Sequence, residues 1–203
     1  MLYSEFKATV QDLHTGGEIP DSIDNIAKLV LGKLARLRLK NRVKIASLTV
    51  GSNVSFNLKT LVPDFFALKT DAENKNRCLY YYQSTEPSFF EHTNNSRFVM
   101  NTQGYFSTLT GLTLKINFPQ GITNIDTLYM PYFSKYLVLD EDGTTEKEKP
   151  ENDNDEFLFD SVFDDAFVEG VLLYLKRREL DDNEYTKATQ EWNKSLQSIV
   201  FYQ

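Results

Sequence analysis

Three carboxylates spaced along one acidic tract, Asp153, Asp155 and Asp160, come closest to a chemical constellation in this sequence. Carboxylate oxygens gathered at short spacing are what a hard divalent cation such as calcium binds. The tract lacks the glycine and the terminal glutamate of a calcium-binding loop, which favours a solvated linker. The two histidines are His14 and His92, and neither stands at ligand spacing from a cysteine or carboxylate. Glu91 directly precedes His92, and adjacent residues seldom share a face. Cys78 is the single cysteine, so cysteine-based zinc sites and an internal disulfide are excluded. It reads as a small buried strand residue rather than a nucleophile. No phosphate-cradling glycine loop and no nucleophile elbow occurs. A glycosidase-type carboxylate pair assembles across a fold and leaves no local trace, so acids alone do not point to one. No catalytic residue, metal ligand or cofactor is assigned.

Charge offers a different kind of chemistry. The chain carries a net charge of −7, but residues 1–60 balance at +4 and the remainder at −11. Such polarity suits a subunit held between two partners, since complementary patches steer and orient docking. It equally suits ordinary solvated faces. The basic share concentrates in Lys28, Lys33, Arg36, Arg38, Lys40, Arg42 and Lys44, with no acid among them. Cations complement the negative end of a helix, which explains the run adequately. The functional alternative is a patch for an acidic partner or for phosphates. No aromatic residue interleaves the run and the whole chain is acidic, so sequence-specific nucleic-acid reading is disfavoured. Loose contact with a phosphate backbone stays open.

The elements that must carry these residues fall into three stretches. YSEFKATVQDLH predicts a short helix closed by Gly16-Gly17. Pro20 opens a second, with Ile23, Ile26, Ala27, Val30, Leu31, Leu34 and Leu37 on one stripe. At Val43 the period changes to alternation, and Gly51-Ser52-Asn53 predicts a hairpin. Pro63 is expected to end a strand and Asp64 to cap a helical turn bearing Phe65, Phe66 and Leu68. CLYYYQS reads as a strand and TEPSFFEHT as a short helical turn. RFVMNTQGYFSTLTGLTLKINFP predicts three strands broken at Gly104 and Gly111, and an aromatic segment follows, interrupted at Pro131.

Residues 140–165 hold twelve acids and two lysines, and 140–156 reads as an acidic linker. Beyond it, Phe159, Val162, Phe163, Ala166, Phe167, Gly170, Val171 and Tyr174 share a helical face. A last helix carries Tyr185, Ala188, Trp192, Leu196 and Ile199, and the chain stops on IVFYQ. The expected fold is α+β: a helical bundle of residues 1–42 and 157–203 with a β-rich insertion, 43–139, of about seven strands. No apolar run approaches the roughly 20 residues that span a bilayer. The start lacks the marks of a signal peptide, and a protein made in a reducing cytosol is expected.

This order of elements resembles the head-to-tail connector, or adaptor, proteins of tailed bacteriophages, in particular the type called tail tubular protein A. The resemblance rests on the junction Leu61-Val62-Pro63-Asp64-Phe65-Phe66, where Val62 separates a leucine and proline that are adjacent in the family. It rests also on LTLKINFP followed by Leu128-Tyr129-Met130-Pro131-Tyr132-Phe133, and on the aromatic helix from Phe163 to Arg178 followed by the helix from Tyr185 to Leu196. It covers most of the chain through element order. The acidic stretch 140–156 departs from compact members. The Asn/Lys-rich composition would suit a phage of an AT-rich gut bacterium, such as those with crAss-like ring proteins.

The resemblance implies a non-enzymatic virion subunit, in a ring of twelve copies, between the portal and the tail hub or further rings. Genomic DNA would pass through its lumen without sequence readout. It implies that Ile199, Val200, Phe201 and Tyr202 dock on the portal, with packing on the chain's own bundle as the alternative. It implies that Arg36, Arg38, Lys40 and Arg42 face a neighbour or partner. Pro63, Phe65 and Phe66 would anchor the insertion to the helices, or belong to ordinary core. The acidic tract would keep a lumen from gripping DNA, or face outward. Two competing readings are a carboxylate-based, cell-wall-degrading hydrolase and a β-rich binding module.

Overall fold

The computed structural model describes residues 1–14, 18–20, 22–49, 55–69, 77–81, 103–117, 127–178 and 180–201. In chain order the elements begin with α1 (Tyr3–Leu13), α2 (Ile23–Ala35), β1 (Val43–Thr49), β2 (Ser55–Asn57), α3 (Leu58–Leu61), β3 (Phe65–Leu68) and β4 (Arg77–Tyr81). They continue with β5 (Gln103–Thr110), β6 (Thr113–Asn117), β7 (Thr127–Ser134), β8 (Val138–Leu139), β9 (Glu146–Lys147), β10 (Glu156–Phe157), α4 (Asp164–Leu175) and α5 (Asp182–Phe201). Helices and strands are both abundant, so the chain is α+β. It divides into two units, residues 1–42 with 135–203 and residues 43–134.

In the helical unit, aromatic rings hold α1 to the C-terminal half. Phe6 lies 4.8 Å from Phe167 and 5.6 Å from Phe157, and Phe157 lies 4.7 Å from Phe167. Fully burying one such ring stabilises by about 1.5–3 kcal/mol. α2 contributes Ala27, Val30, Leu31 and Leu34, the inward side of its predicted stripe. α5 packs through Trp192, whose indole N–H donates to the Ala166 carbonyl at 2.7 Å. That approach requires Gly170, because a Cβ there would run into the Trp192 ring and sit 2.9 Å from Val30. The helix expected to carry Val162 inward starts later: residues 161–163 form a 3₁₀ turn, and Val162 is 52% exposed.

The acidic tract is not a linker. β8, β9 and β10 form a small sheet in the order β10-β8-β9, and 140–156 is part of it. Cations from distant parts of the chain, and Lys147 within the tract, meet its acids. Lys7 pairs with Asp153, Lys28 and Lys135 with Glu148, Arg42 with Glu146, and Lys147 with both Asp140 and Asp155. Within the tract Lys149 reaches back to Asp24 at 2.7 Å. The tract also binds the start of α1, where the Tyr3 and Ser4 N–H groups donate to the Asp155 and Asp153 carbonyls. Composition counts only local charge, and much of the neutralising charge is elsewhere in sequence.

The second unit is a seven-stranded antiparallel sheet in the order β1-β7-β4-β5-β6-β2, with β3 also on β7. β7 is its central strand, with Leu128, Met130 and Tyr132 turned into a core shared with Leu48, Phe56, Leu58, Val62, Phe65 and Leu114. Its first and last strands are neighbours, and Val43 pairs with Phe133. Three local expectations change. β7 runs through Pro131, where the missing N–H falls between the end of β3 and the start of β4, while the Pro131 carbonyl accepts the Lys69 N–H at 3.0 Å. β5 runs through Gly104. The helical turn lies before Pro63, as α3, capped by Asn57, which accepts the Lys59 N–H at 3.0 Å. Residues 65–68 are strand β3 instead. The hairpin at Gly51-Ser52-Asn53, the closing Gly16-Gly17 and the turn TEPSFFEHT with His92 lie outside the described residues.

Candidate assembly surfaces

At the predicted insertion anchor the central residue is Asp64, which is buried at 8% exposure. Its carboxylate accepts hydrogen bonds from Lys44 Nζ at 2.9 Å, the Tyr132 hydroxyl at 2.9 Å and the Ser134 hydroxyl at 2.9 Å. Burial alone would raise its pKa, but these three donors outweigh that and hold it below the usual carboxylate range. With its oxygens so engaged, Asp64 cannot cap a following helix. Phe65 packs against Tyr132, ring centres 6.0 Å apart, inside the sheet unit's own core, Phe66 is half-buried and Pro63 is exposed. The sequence signal for this cluster was one acid placed between Val62-Pro63 and Phe65-Phe66.

The predicted basic patch divides. Arg36, Arg38 and Lys40 are exposed at the end of α2 and the turn after it. Arg38 has φ 55°, the left-handed region that commonly ends a helix. Arg42 turns inward, where it pairs with Glu146 and donates to the Tyr136 carbonyl at 3.2 Å. Further back, Lys33 lies over the rings of Tyr174 and Trp192, 5.5 and 5.0 Å from their centres.

The predicted docking tail is helical rather than extended. Ile199 is half-buried against the core of the helical unit, and Val200 and Phe201 belong to the last turn of α5. Tyr202 lies outside the described residues. A strand added to a partner's sheet therefore does not fit residues 199–201 as they stand.

Large apolar side chains are exposed in both units. In the sheet unit, Leu61, Leu109 and Leu112 are 56%, 37% and 43% exposed. They lie at one end, because Leu112 in the β5–β6 turn accepts the Leu58 N–H at 2.8 Å and Leu61 is one turn further along α3. In the helical unit, Leu2 and Val162 are 37% and 52% exposed, and Leu2 forms a bridge with Glu156.

The acids do not gather into a reaction or ion site. Asp153 pairs with Lys7, Asp160 accepts from Asn41 at 3.2 Å, and Asp155 accepts the N–H groups of Glu151 and Asn152. Burial would raise the Asp155 pKa, and those N–H groups with Lys147 hold it low. Among the described residues, no three His, Cys, Asp or Glu side chains are placed to share a metal ion. A pocket of about 520 Å³ in the helical unit is lined by Tyr3, Lys7, Ile23, Asp24, Lys149 and Glu151. Its Asp24 is held low by Lys149, the opposite of what a general acid requires. Burial pushes the Tyr3 hydroxyl up to about 12, aided by Asp24, Asp153 and Asp155. Burial raises the Asp164 carboxyl, which does not line this pocket.

No protein-family model matches the chain, and no curated protein matches it. No helix among the described residues is long and apolar enough to cross a membrane.

Proposed function

We propose that the protein is a structural subunit of a ring in the neck of a tailed bacteriophage, where it joins the portal to the tail around the path of the DNA. The observation that carries this reading is the contrast between its interior and its surface. Asp24, Asp64, Asp140, Glu146, Glu148 and Asp155, none of them exposed, are engaged by cations, hydroxyls or backbone N–H groups of the same chain. Outside, each unit presents large apolar side chains, and the end of α2 presents Arg36, Arg38 and Lys40. An exposed apolar cluster such as that of Leu61 and Leu112 marks a surface that meets other proteins. The order of helices, sheet insertion and helices, with its Pro-Asp-Phe-Phe junction, supports the connector reading over a binding module.

In this role the chain acts without cofactor or catalysis, as one of about twelve copies in closed symmetry, with portal on one side and tail proteins on the other. Native mass spectrometry of the protein, alone and mixed with portal from the same genome, tests it. About twelve copies per portal ring are expected. A persistent monomer that ignores the portal overturns the reading. Deletion of residues 199–203 is expected to remove stable portal binding while circular dichroism retains the helical signal. Unchanged binding would remove the tail from the docking surface.

A further inference from the structure

The fold partners the basic run from Lys28 to Lys44 unevenly. Lys28 pairs with Glu148, Arg42 with Glu146 and Lys44 with Asp64, while Lys33 lies over the Tyr174 and Trp192 rings. Arg36 and Arg38 are exposed, and neither forms an ion pair among the described residues. The chain has 29 acids against 22 lysines and arginines, so an arginine left without an acid is not short of candidates. The negative end of α2 favours cations there. It does not account for what stands beside Arg36.

One turn before Arg36 is Gly32, exposed and inside α2, where an added Cβ would meet nothing within 4 Å. A glycine inside a helix destabilises it relative to alanine, and no packing among the described residues requires one here. One turn earlier still is Leu29, 57% exposed. Leu29, Gly32, Lys33 and Arg36 stand at i, i+3, i+4 and i+7, and Arg36 keeps helical backbone angles. Four residues at that spacing outline the hole into which a facing helix seats one side chain. Gly32 adds no wall to this hole, and Lys33 leans away toward Tyr174 and Trp192. What remains is an open floor with an exposed leucine at one end and an arginine at the other.

We infer that this hole on α2 receives a helix of a partner protein, which seats one large apolar side chain over Gly32 against Leu29 and brings an acid, one turn along, to Arg36. Charge complementarity selects an acidic helix. Glu148, which reaches α2 beside the hole, is already shared by Lys28 and Lys135. The occupant is another protein rather than a second copy. On the described α-helices the exposed large apolar residues are Leu13, Leu29 and Leu61, and none has an exposed acid three or four positions away. The inference rests on the ring reading and assigns α2 to the portal contact.

Portal from the same genome is the probe, titrated against the full chain, with ring formation followed by native mass spectrometry. Gly32→Leu fills the hole. Leucine favours helix and the space is open, so the unfolding midpoint is expected to hold or rise. Portal binding is expected to weaken about tenfold, as for a contact whose central side chain has lost its seat. Leu29→Gln is expected to weaken binding as well, with the midpoint unchanged, and it carries the test alone should Gly32→Leu lower the midpoint. Arg36→Lys is expected to bind more tightly than Arg36→Glu. Wild-type affinity in both Gly32→Leu and Leu29→Gln overturns the α2 contact and leaves the ring reading standing. Loss of the ring while single subunits still bind portal puts a second copy in the hole and overturns the occupant. A wild-type chain that neither forms a ring nor binds portal overturns both.

Discussion

Asp64 shows how much one side chain can organise when its partners come from two other strands. Lys44 lies on β1, Tyr132 and Ser134 on β7, and Asp64 itself just before β3, so the carboxylate fixes the register of three adjacent segments. Asp64→Asn removes the counter-charge of Lys44 and leaves one oxygen where two had accepted from the three donors. Asp64→Asn is expected to cost about 3 kcal/mol in a urea titration, the range for breaking a buried pair on one side. A loss below about 1 kcal/mol would mean that solvent replaces the carboxylate freely. The sequence showed the residue and hid its role. Local pattern offered only a helix cap, because Lys44, Tyr132 and Ser134 are 20, 68 and 70 positions away. Val162 was misplaced for a related reason: a helical period continues through a 3₁₀ turn on paper, while in the fold that turn points the side chain outward.

Among the elements, the acidic segment from Asp140 to Glu156 works as a strap across the helical unit. Its ion pairs reach α1 through Lys7 and α2 through Lys28, while its Lys149 reaches Asp24 at the start of α2. The Asp24 carboxyl is held low by Lys149, Glu148 by Lys28, and Asp155 by backbone N–H groups and Lys147 against the effect of burial. Carboxyl groups with lowered folded-state pKa values contribute stability above their unfolded values, near 4. That contribution is lost as the pH falls through the folded values. The urea midpoint is therefore expected to hold between pH 7 and pH 5 and to drop steeply between pH 4 and pH 2. A flat midpoint across the acid range would show that these pairs add little beyond what water offers. The helices themselves were legible, since α2 and α5 bury the stripes read from their spacing, through Val30 and Leu34 and through Trp192 and Leu196. The change of period at Val43 likewise marked the first strand, and with it the α+β class. The strap was not legible, because all its cations but Lys147 and Lys149 are contributed by distant positions, 7, 28, 42 and 135.

For the whole molecule, the divided basic run separates folding from assembly. Arg42 is spent inside the fold on Glu146 and Tyr136, whereas Arg36 and Arg38 are exposed. Arg36→Glu with Arg38→Glu is expected to leave the unfolding midpoint nearly unchanged and to weaken ring or portal assembly. Arg42→Glu is expected to lower the midpoint, since two carboxylates would then face each other with little exposure. Normal assembly by the first variant would return Arg36 and Arg38 to the status of ordinary solvated cations.

The pairing of Val43 with Phe133 has a consequence for the gene as well as the protein. The chain enters the sheet unit on one strand and leaves on its immediate neighbour, so the two ends of the insert are about 5 Å apart. A gap that narrow is closed by a turn of a few residues. The segment from Val43 to Ser134 is thus a cassette: recombination could exchange it for another module, lengthen it or delete it, with the flanking helices asked only to accept two strand ends side by side.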